Sequence, residues 1–295
     1  MSIDFGIRLH RSQFGGISDF PALFHNLLDS LSEQITTIWP DDHLQFGTDN
    51  VFEGWTLAAY LAGAFPRFKY GHLVNAQGFR NPALLAKMAA GMQHLTGGRF
   101  ILGIGAGWHK EEFDAYNLNF AAPGVRIEQL AETIQILRAM WTQSPATYHG
   151  KHYRVENAYC TPQPNPPPRI LVGTGGNKGI AVAARLGDGW NWDYQMDTFK
   201  PRYQLLKQGC EAIGRDVGDL WLTCCGGAHF PKDESDFVLP DPGGEPKLGP
   251  TPAHAIEQLR PFIEDYRVSH FQIMFEDQRT IDMFCEQVAP KLVQM

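Results

Sequence analysis

Short apolar runs rich in branched residues alternate along the chain with longer stretches whose apolar positions recur every three to four residues. The first kind of pattern predicts strands, the second amphipathic helices. "IDFGIRL" (3–9), "TTIW" (36–39), "KYGHLVNA" (69–76) and "RFILGIGAG" (99–107) predict the first four strands, and "RILVG" (169–173), "GWNWDY" (189–194), "LWLTCCGGAHF" (220–230) and "HFQIMF" (270–275) predict four more. A helical pattern follows each of them. In the first, Leu23, Leu27, Leu28 and Leu31 share the spacing. In the third, Asn81 is placed to cap, Pro82 falls in the first turn, and Leu84, Met88, Met92 and Leu95 form one stripe before Gly97 and Gly98 stop the helix. In the fourth, Ile127, Leu130, Ile134, Leu137 and Trp141 line up.

Two segments break the alternation. "ATYHGKHYRVENAYC" (146–160) predicts a hairpin turning at His-Gly-Lys, ahead of the fifth strand. Residues 231–252 hold six prolines and five acids and predict a long loop after the seventh strand, a candidate lid. Eight strand–helix repeats predict an α/β fold, a (β/α)8 TIM barrel, over one domain spanning 1–295; a doubly wound open sheet is the alternative.

Composition narrows the function. The chain has 295 residues, 43% of them hydrophobic, and a formal net charge of −7. No basic cluster stands out, which argues against nucleic acid. No apolar run reaches the roughly 20 residues of a membrane span. The first residues carry an early acid and no basic stretch, so no leader is expected. The five cysteines, without CxxC spacing, suit reduced thiols in a cytoplasmic protein.

In a barrel, chemistry sits where strands end and their following loops begin. Those positions here carry His10 and Arg11; Asp41, Asp42 and His43; Asn75 and Gln77; "GIGAGWHKEE" with Trp108, His109, Glu111 and Glu112; "GTGGNKG"; and Trp190, Asn191 and Trp192. Glycines let a phosphate approach backbone N–H groups at a helix N-terminus. Polar tips can bond the edge of a flat heterocycle with an anionic tail, and Trp108, Trp190 and Trp192 can shield its faces from water. Glu111 and Glu112 read as helix N-terminal acids rather than catalysts. His149 and His152 read as an exposed turn rather than a metal pair.

"GRFILGIGAGWHKEEFDAYNL", "GVRIEQLAETIQILRAMWT", "YHGKHYRVENAYCTPQPNPPPRILVGTGG" and "AARLGDGWN", in that order and together with "PDDH" upstream, resemble the luciferase-like monooxygenase superfamily, and more narrowly its branch of coenzyme F420-dependent oxidoreductases. The resemblance covers roughly residues 3 to 215. It implies a bacterial-luciferase-like barrel with a deazaflavin or flavin ring in its mouth. By resemblance, Asp42 bonds the ring's polar edge and His43 faces the reacting carbon. Leu73 and Val74 flank a non-proline cis peptide behind the ring, and Asn75 follows as a ring contact. Ala106, Gly107 and Trp108 meet the tail or the substrate side, and Thr174, Gly175, Gly176 and Asn177 hold the phosphate. In the family's sugar-phosphate dehydrogenases a Glu stands where Trp108 falls, so this pocket is expected to be more apolar and its substrate different.

The expected reaction is hydride transfer between deazaflavin (F420) and a small organic substrate. The alternative is an FMN-dependent monooxygenase served by a separate flavin reductase. Family habit implies a homodimer. Two other classes are weighed: a metal-dependent hydrolase using His10, His43, His72 and an acid, disfavoured because the first strand lacks HxH, and a non-catalytic subunit, disfavoured because Asp42, His43 and both glycine loops are present. No metal is expected.

Overall fold

The structure, a computed structural model, describes residues 3–9, 19–241 and 244–295. His10 and Arg11 lie outside the described residues. The strands are β1 (Asp4–Leu9), β2 (Ile35–Pro40), β3 (Lys69–Gly71), β4 (Asn75–Ala76), β5 (Phe100–Gly105), β6 (Ala146–His149), β7 (Arg154–Ala158), β8 (Arg169–Gly173), β9 (Gly189–Asp193), β10 (Trp221–Ala228), β11 (Lys247–Leu248) and β12 (His270–Phe275). Strands β1, β2, β3, β5, β8, β9, β10 and β12 pair in parallel, each with its successor, and β12 pairs back onto β1. That closed, sequential order is the (β/α)8 barrel.

Among the described residues, eight helical segments cover the cylinder: α1 (Phe20–Leu28), α2 (Gly54–Ala64), α3 (Pro82–Leu95), α5 (Pro123–Thr142), α6 (Asn177–Leu186), α7 (Met196–Glu211), α8 (Pro252–Glu264), and a last one made of α9 (Gln278–Met283) and α10 (Ala289–Val293). A short extra helix, α4 (Lys110–Ala115), follows β5. The α3 cap is as the spacing predicts, with Asn81 accepting from the N–H groups of Ala83 and Leu84 ahead of the helix.

The core has two parts. Outward side chains of the strands, such as Phe5 and Ile7, are buried under the helices; Phe5 meets Phe284 edge-on. Inside the cylinder, Trp39 fills the lower end and donates from Nε1 to His270 Nε2 at 3.0 Å. Its ring lies so close to Gly6 and Gly71 that a Cβ on either would come within 2.4 Å. Glycine is therefore a steric requirement there.

Four expectations are corrected. The third predicted strand, 69–76, is broken: residues 72–74 leave the ladder, and pairing resumes at Asn75. Gly103 makes room for this break, since the His72 carbonyl sits 1.9 Å from where a Gly103 Cβ would be. The predicted stripe of α3 is wrong in part. Leu84 is 54% and Leu95 85% exposed, while Leu85, Ala86, Ala89 and Ala90 are buried. Small alanines let α3 lie close to α5, so packing distance, not side-chain size, selects the buried face. The 231–252 loop is not structureless, because Lys247 and Leu248 form β11 beside β10. The final helix is split by a π-turn over Phe284–Val288. Pro290 has no N–H to offer the carbonyl one turn back, which favours such a break. The predicted hairpin forms as an antiparallel pair, β6 and β7. His149 and His152 there bond to Glu156 and Glu128.

Among the described residues no helix is long and apolar enough to cross a membrane. All five cysteines are free.

Candidate active site

The loops after β2, β3, β5 and β8 converge on a cavity of about 270 Å³ at the barrel mouth. Its wall includes Asp42, His43, Leu73, Val74, Ala106, Gly107, Trp108, Glu112 and Thr174. The Leu73–Val74 peptide is cis. Seven sequence-expected residues from the first three loops, and one from the fourth, therefore face one space. A larger cavity of about 550 Å³ lies between α7, α8 and Leu239, Pro240 and 246–248, outside the barrel, and carries no histidine among the described residues.

His43 is positioned from behind. Its Nδ1 lies 3.0 Å from Oε1 of Glu112, and Oε2 of the same carboxylate accepts from the Leu44 N–H at 2.8 Å. Glu112 is 1% exposed. One buried carboxylate thus fixes both the ring and the backbone that carries it, and this leaves Nε2 as the nitrogen available for proton exchange. The edge of the His43 ring meets Phe46 at 4.6 Å and Trp108 at 5.8 Å between centroids. Phe46 also stacks on His109 at 4.2 Å. Trp108 is 67% exposed, so it forms the rim of the mouth rather than core.

Asp42 lines the cavity but spends its oxygens elsewhere. Arg80 donates to Oδ2 from Nη1 at 2.7 Å and to Oδ1 from Nη2 at 2.8 Å, and the Ala76 N–H donates to Oδ2 at 3.1 Å. Arg80 also pairs with Glu53. Burial alone would raise the Glu53 carboxyl, but the Thr56 hydroxyl and N–H and the Arg80 guanidinium hold it at about 2. In this geometry Asp42 ties the His43 loop to β4.

Asn75 is not on the cavity wall. It is fully buried, accepts from Trp55 Nε1 at 2.6 Å and donates to the Gly103 carbonyl at 2.8 Å. Its place is behind the bulge, bracing it. Gly175, Gly176 and Asn177 also lie off the wall, at the head of α6. Trp190 is fully buried and donates to the Thr174 carbonyl at 2.8 Å, so it shapes this loop rather than shielding the mouth. Trp192 lies over Gly175, where a Cβ would come within 2.1 Å of its ring. Gly176 caps α6 without a side-chain acceptor, and a Cβ there would meet nothing within 4 Å. Gly176, Asn177 and Lys178 are exposed, so the uncapped first turn of α6 can offer N–H groups to an anion.

Away from the cavity wall, burial pushes the Cys225 thiol up to about 12, with Arg8 opposing, which disfavours its thiolate. His72 is fully buried, and burial lowers its pKa. Among the described residues no group of three or more His, Cys, Asp or Glu is placed to hold a metal. Sequence reasoning missed Glu112 as a partner of His43 and missed Arg80 altogether. The only signal for Glu112 was an acid one turn into the helix after the "GAGW" loop.

The chain also resembles proteins of known activity. Pyrimidine monooxygenase RutA of Escherichia coli is 29% identical over 184 residues, 59% of this chain and 49% of the relative. The chain spans about half the length of the curated relatives it matches. In three dimensions it is similar to an F420-dependent secondary alcohol dehydrogenase in complex with an F420-acetone adduct (TM-score 0.80, 16% identity, 98% of both chains). It is similar too to EDTA monooxygenase from Chelativorans sp. BNC1 (TM-score 0.78, 16% identity, 100% of this chain and 94% of the other). The profile described as luciferase-like monooxygenase matches residues 35–237, the span that builds the mouth from β2 to the end of β10. An oxidoreductase fold of this kind, matched over more than half of its length, means that the chain belongs to the luciferase-like monooxygenase family.

Proposed function

We propose that the mouth holds a flavin-type ring, coenzyme F420 in the first place, and that the enzyme moves hydride between it and a small organic substrate beside His43. One observation carries the reading: an imidazole held through Nδ1 by a buried carboxylate faces a slot whose far side runs to an uncapped helix N-terminus. A cavity of about 270 Å³ suits the ring alone; whole-ligand pockets start at about 300 Å³. The anionic tail must then leave the slot, and the head of α6 lies next to Thr174 on the wall.

The residues fit such a group. Leu73 and Val74 offer an apolar back wall, Gly107 and Ala106 a close floor, and Thr174 to Asn177 the tail's N–H donors. When bound, the ring supplies the hydride acceptor or donor. The chain supplies position and proton handling. In the alcohol-oxidising direction, His43 Nε2 takes the substrate's hydroxyl proton, and the Glu112 carboxylate stabilises the imidazolium that results. In the reducing direction His43 returns the proton. Trp108 lines the rim of the cavity, and Phe46 packs beside it and the His43 ring.

A second reading, an FMN-dependent monooxygenase with a separate reductase, is favoured by the sequence relative, which is named a monooxygenase. Titration with F420 and with FMN, followed by fluorescence quenching, separates the two. F420 binding is the expected result. Tight FMN binding without F420 binding replaces the first reading by the second, and binding of neither sinks both.

A further inference from the structure

We propose that Arg8 anchors an anionic group of the substrate, and that Glu245 is an intramolecular stand-in which that group displaces. The proposal names a substrate class for the mouth and so rests on the reading of that mouth as the active site.

The strand places Arg8. Gly6 faces the interior, since a Cβ there would strike Trp39 and come within 3.0 Å of His270 Nε2. Arg8 is two residues on, so it points the same way, one layer nearer the mouth. Its side chain is only 11% exposed, with Asp41 at 3.5 Å from Nη2 and Glu245 against Nη1. Asp41 leads directly into Asp42 and His43, so the guanidinium sits beside the proton-handling loop.

A guanidinium this buried needs an anionic partner. Its planar fork favours a carboxylate, phosphate or sulfonate held by two parallel bonds. The present arrangement uses that fork incompletely. Glu245 takes Nη1, Asp41 stands off at 3.5 Å, and Nε has no hydrogen-bond partner among the described residues.

Glu245 differs from a barrel-wall partner. It comes from the proline-rich segment after β10, two residues before β11, and its side chain is 35% exposed. On leaving, it regains water, whereas Arg8 cannot. The pair is therefore asymmetric: exchange of Glu245 for an incoming anion restores the buried charge's partner and costs the loop carboxylate little. Because Glu245 ties its segment to Arg8, displacement also frees that segment from the barrel interior.

The test uses cofactor-free protein, so it stays readable if the flavin reading fails. Sodium acetate is titrated calorimetrically at constant ionic strength. Glu245→Gln is expected to bind acetate at least tenfold more tightly than wild type, and adding Arg8→Gln is expected to erase the gain. No gain, or a gain that survives Arg8→Gln, overturns the proposal. Circular dichroism verifies that each variant is folded. If Arg8→Gln does not fold, Arg8→Lys replaces it and is expected to lose most of the gain, because it keeps the charge but not the fork. A separate readout needs no variant: acetate should speed cleavage of the wild-type loop after Glu234 by a Glu-specific protease several-fold, and an unchanged rate overturns displacement. A last arm separates substrate from cofactor as the source of the anion. Arg8→Gln should bind F420 or FMN as the wild type does, and a tenfold loss would assign Arg8 to the cofactor's tail instead.

Discussion

Nδ1 of His43 lies 3.0 Å from the buried carboxylate of Glu112, across 69 residues of chain. The bond joins the loop after β2 to the short helix after β5, and with it the two halves of the candidate site. It orients the imidazole and supplies a counter-charge for its protonated form, the two tasks a proton-handling histidine needs from its neighbour.

Glu112→Gln should therefore lower turnover while leaving KM and cofactor affinity near wild type, since Glu112 acts through His43. The amide can still face Nδ1, but it can donate as well as accept, so the tautomer is no longer dictated. Nitrogen-15 spectra of His43 should change from one tautomer to a mixture. Glu112→Asp should restore part of the rate. His43→Gln should cost about 100-fold or more, the usual worth of a general acid or base. A single unchanged tautomer in Glu112→Gln would remove the positioning role.

At the head of α6, Gly176→Asp separates stability from ligand binding. The position is an N-cap with open space around it, so aspartate should hold or slightly raise the melting temperature. Its charge would occupy the place assigned to the cofactor's anion, so F420 or FMN affinity should fall at least tenfold. Gly175→Ala should behave differently, lowering both, because its Cβ meets the Trp192 ring. Equal affinities for Gly176→Asp and wild type would place the tail elsewhere.

Arg80→Met leaves the fully buried Asp42 side chain without its bidentate partner. Removing one member of a buried pair costs about 3–5 kcal/mol. Urea unfolding should show a loss of that size, and Asp42→Asn added to Arg80→Met should recover part of it. A loss below about 1 kcal/mol would mean that water reaches the carboxylate.

His72 gives the pH dependence of stability. Burial holds its folded-state pKa below the ordinary 6.5. Near pH 6 the unfolded chain then binds more protons than the folded one, so stability rises with pH through that window and falls below it. Melting temperatures at pH 5.5 and 7.5 should differ in that sense, and His72→Phe, which can keep a ring against Trp55, should narrow the gap. An unchanged gap would assign the acid sensitivity to other groups.

The repeat of strand and helix, the caps of α3, the hairpin and the glycine loops are all local patterns, and each was legible in the chain. Their spacing alone calls for eight parallel strands, and a closed barrel follows from pairing each with its neighbour. Placement of Asp42, His43, Trp108 and Thr174 around one mouth follows in turn, because every strand end points the same way. Partner choice is another matter. Glu112 looked like a helix-end acid, Asn75 like a ring contact and Trp190 like a shield, yet each side chain is committed to a group 16 to 69 residues away. Arg8 and Glu245 are 237 residues apart. Periodicity reports which face of an element is apolar; it carries no information on which distant polar atom will meet a given side chain. That is decided only when the barrel closes and burial forces every polar group inside it to find a partner.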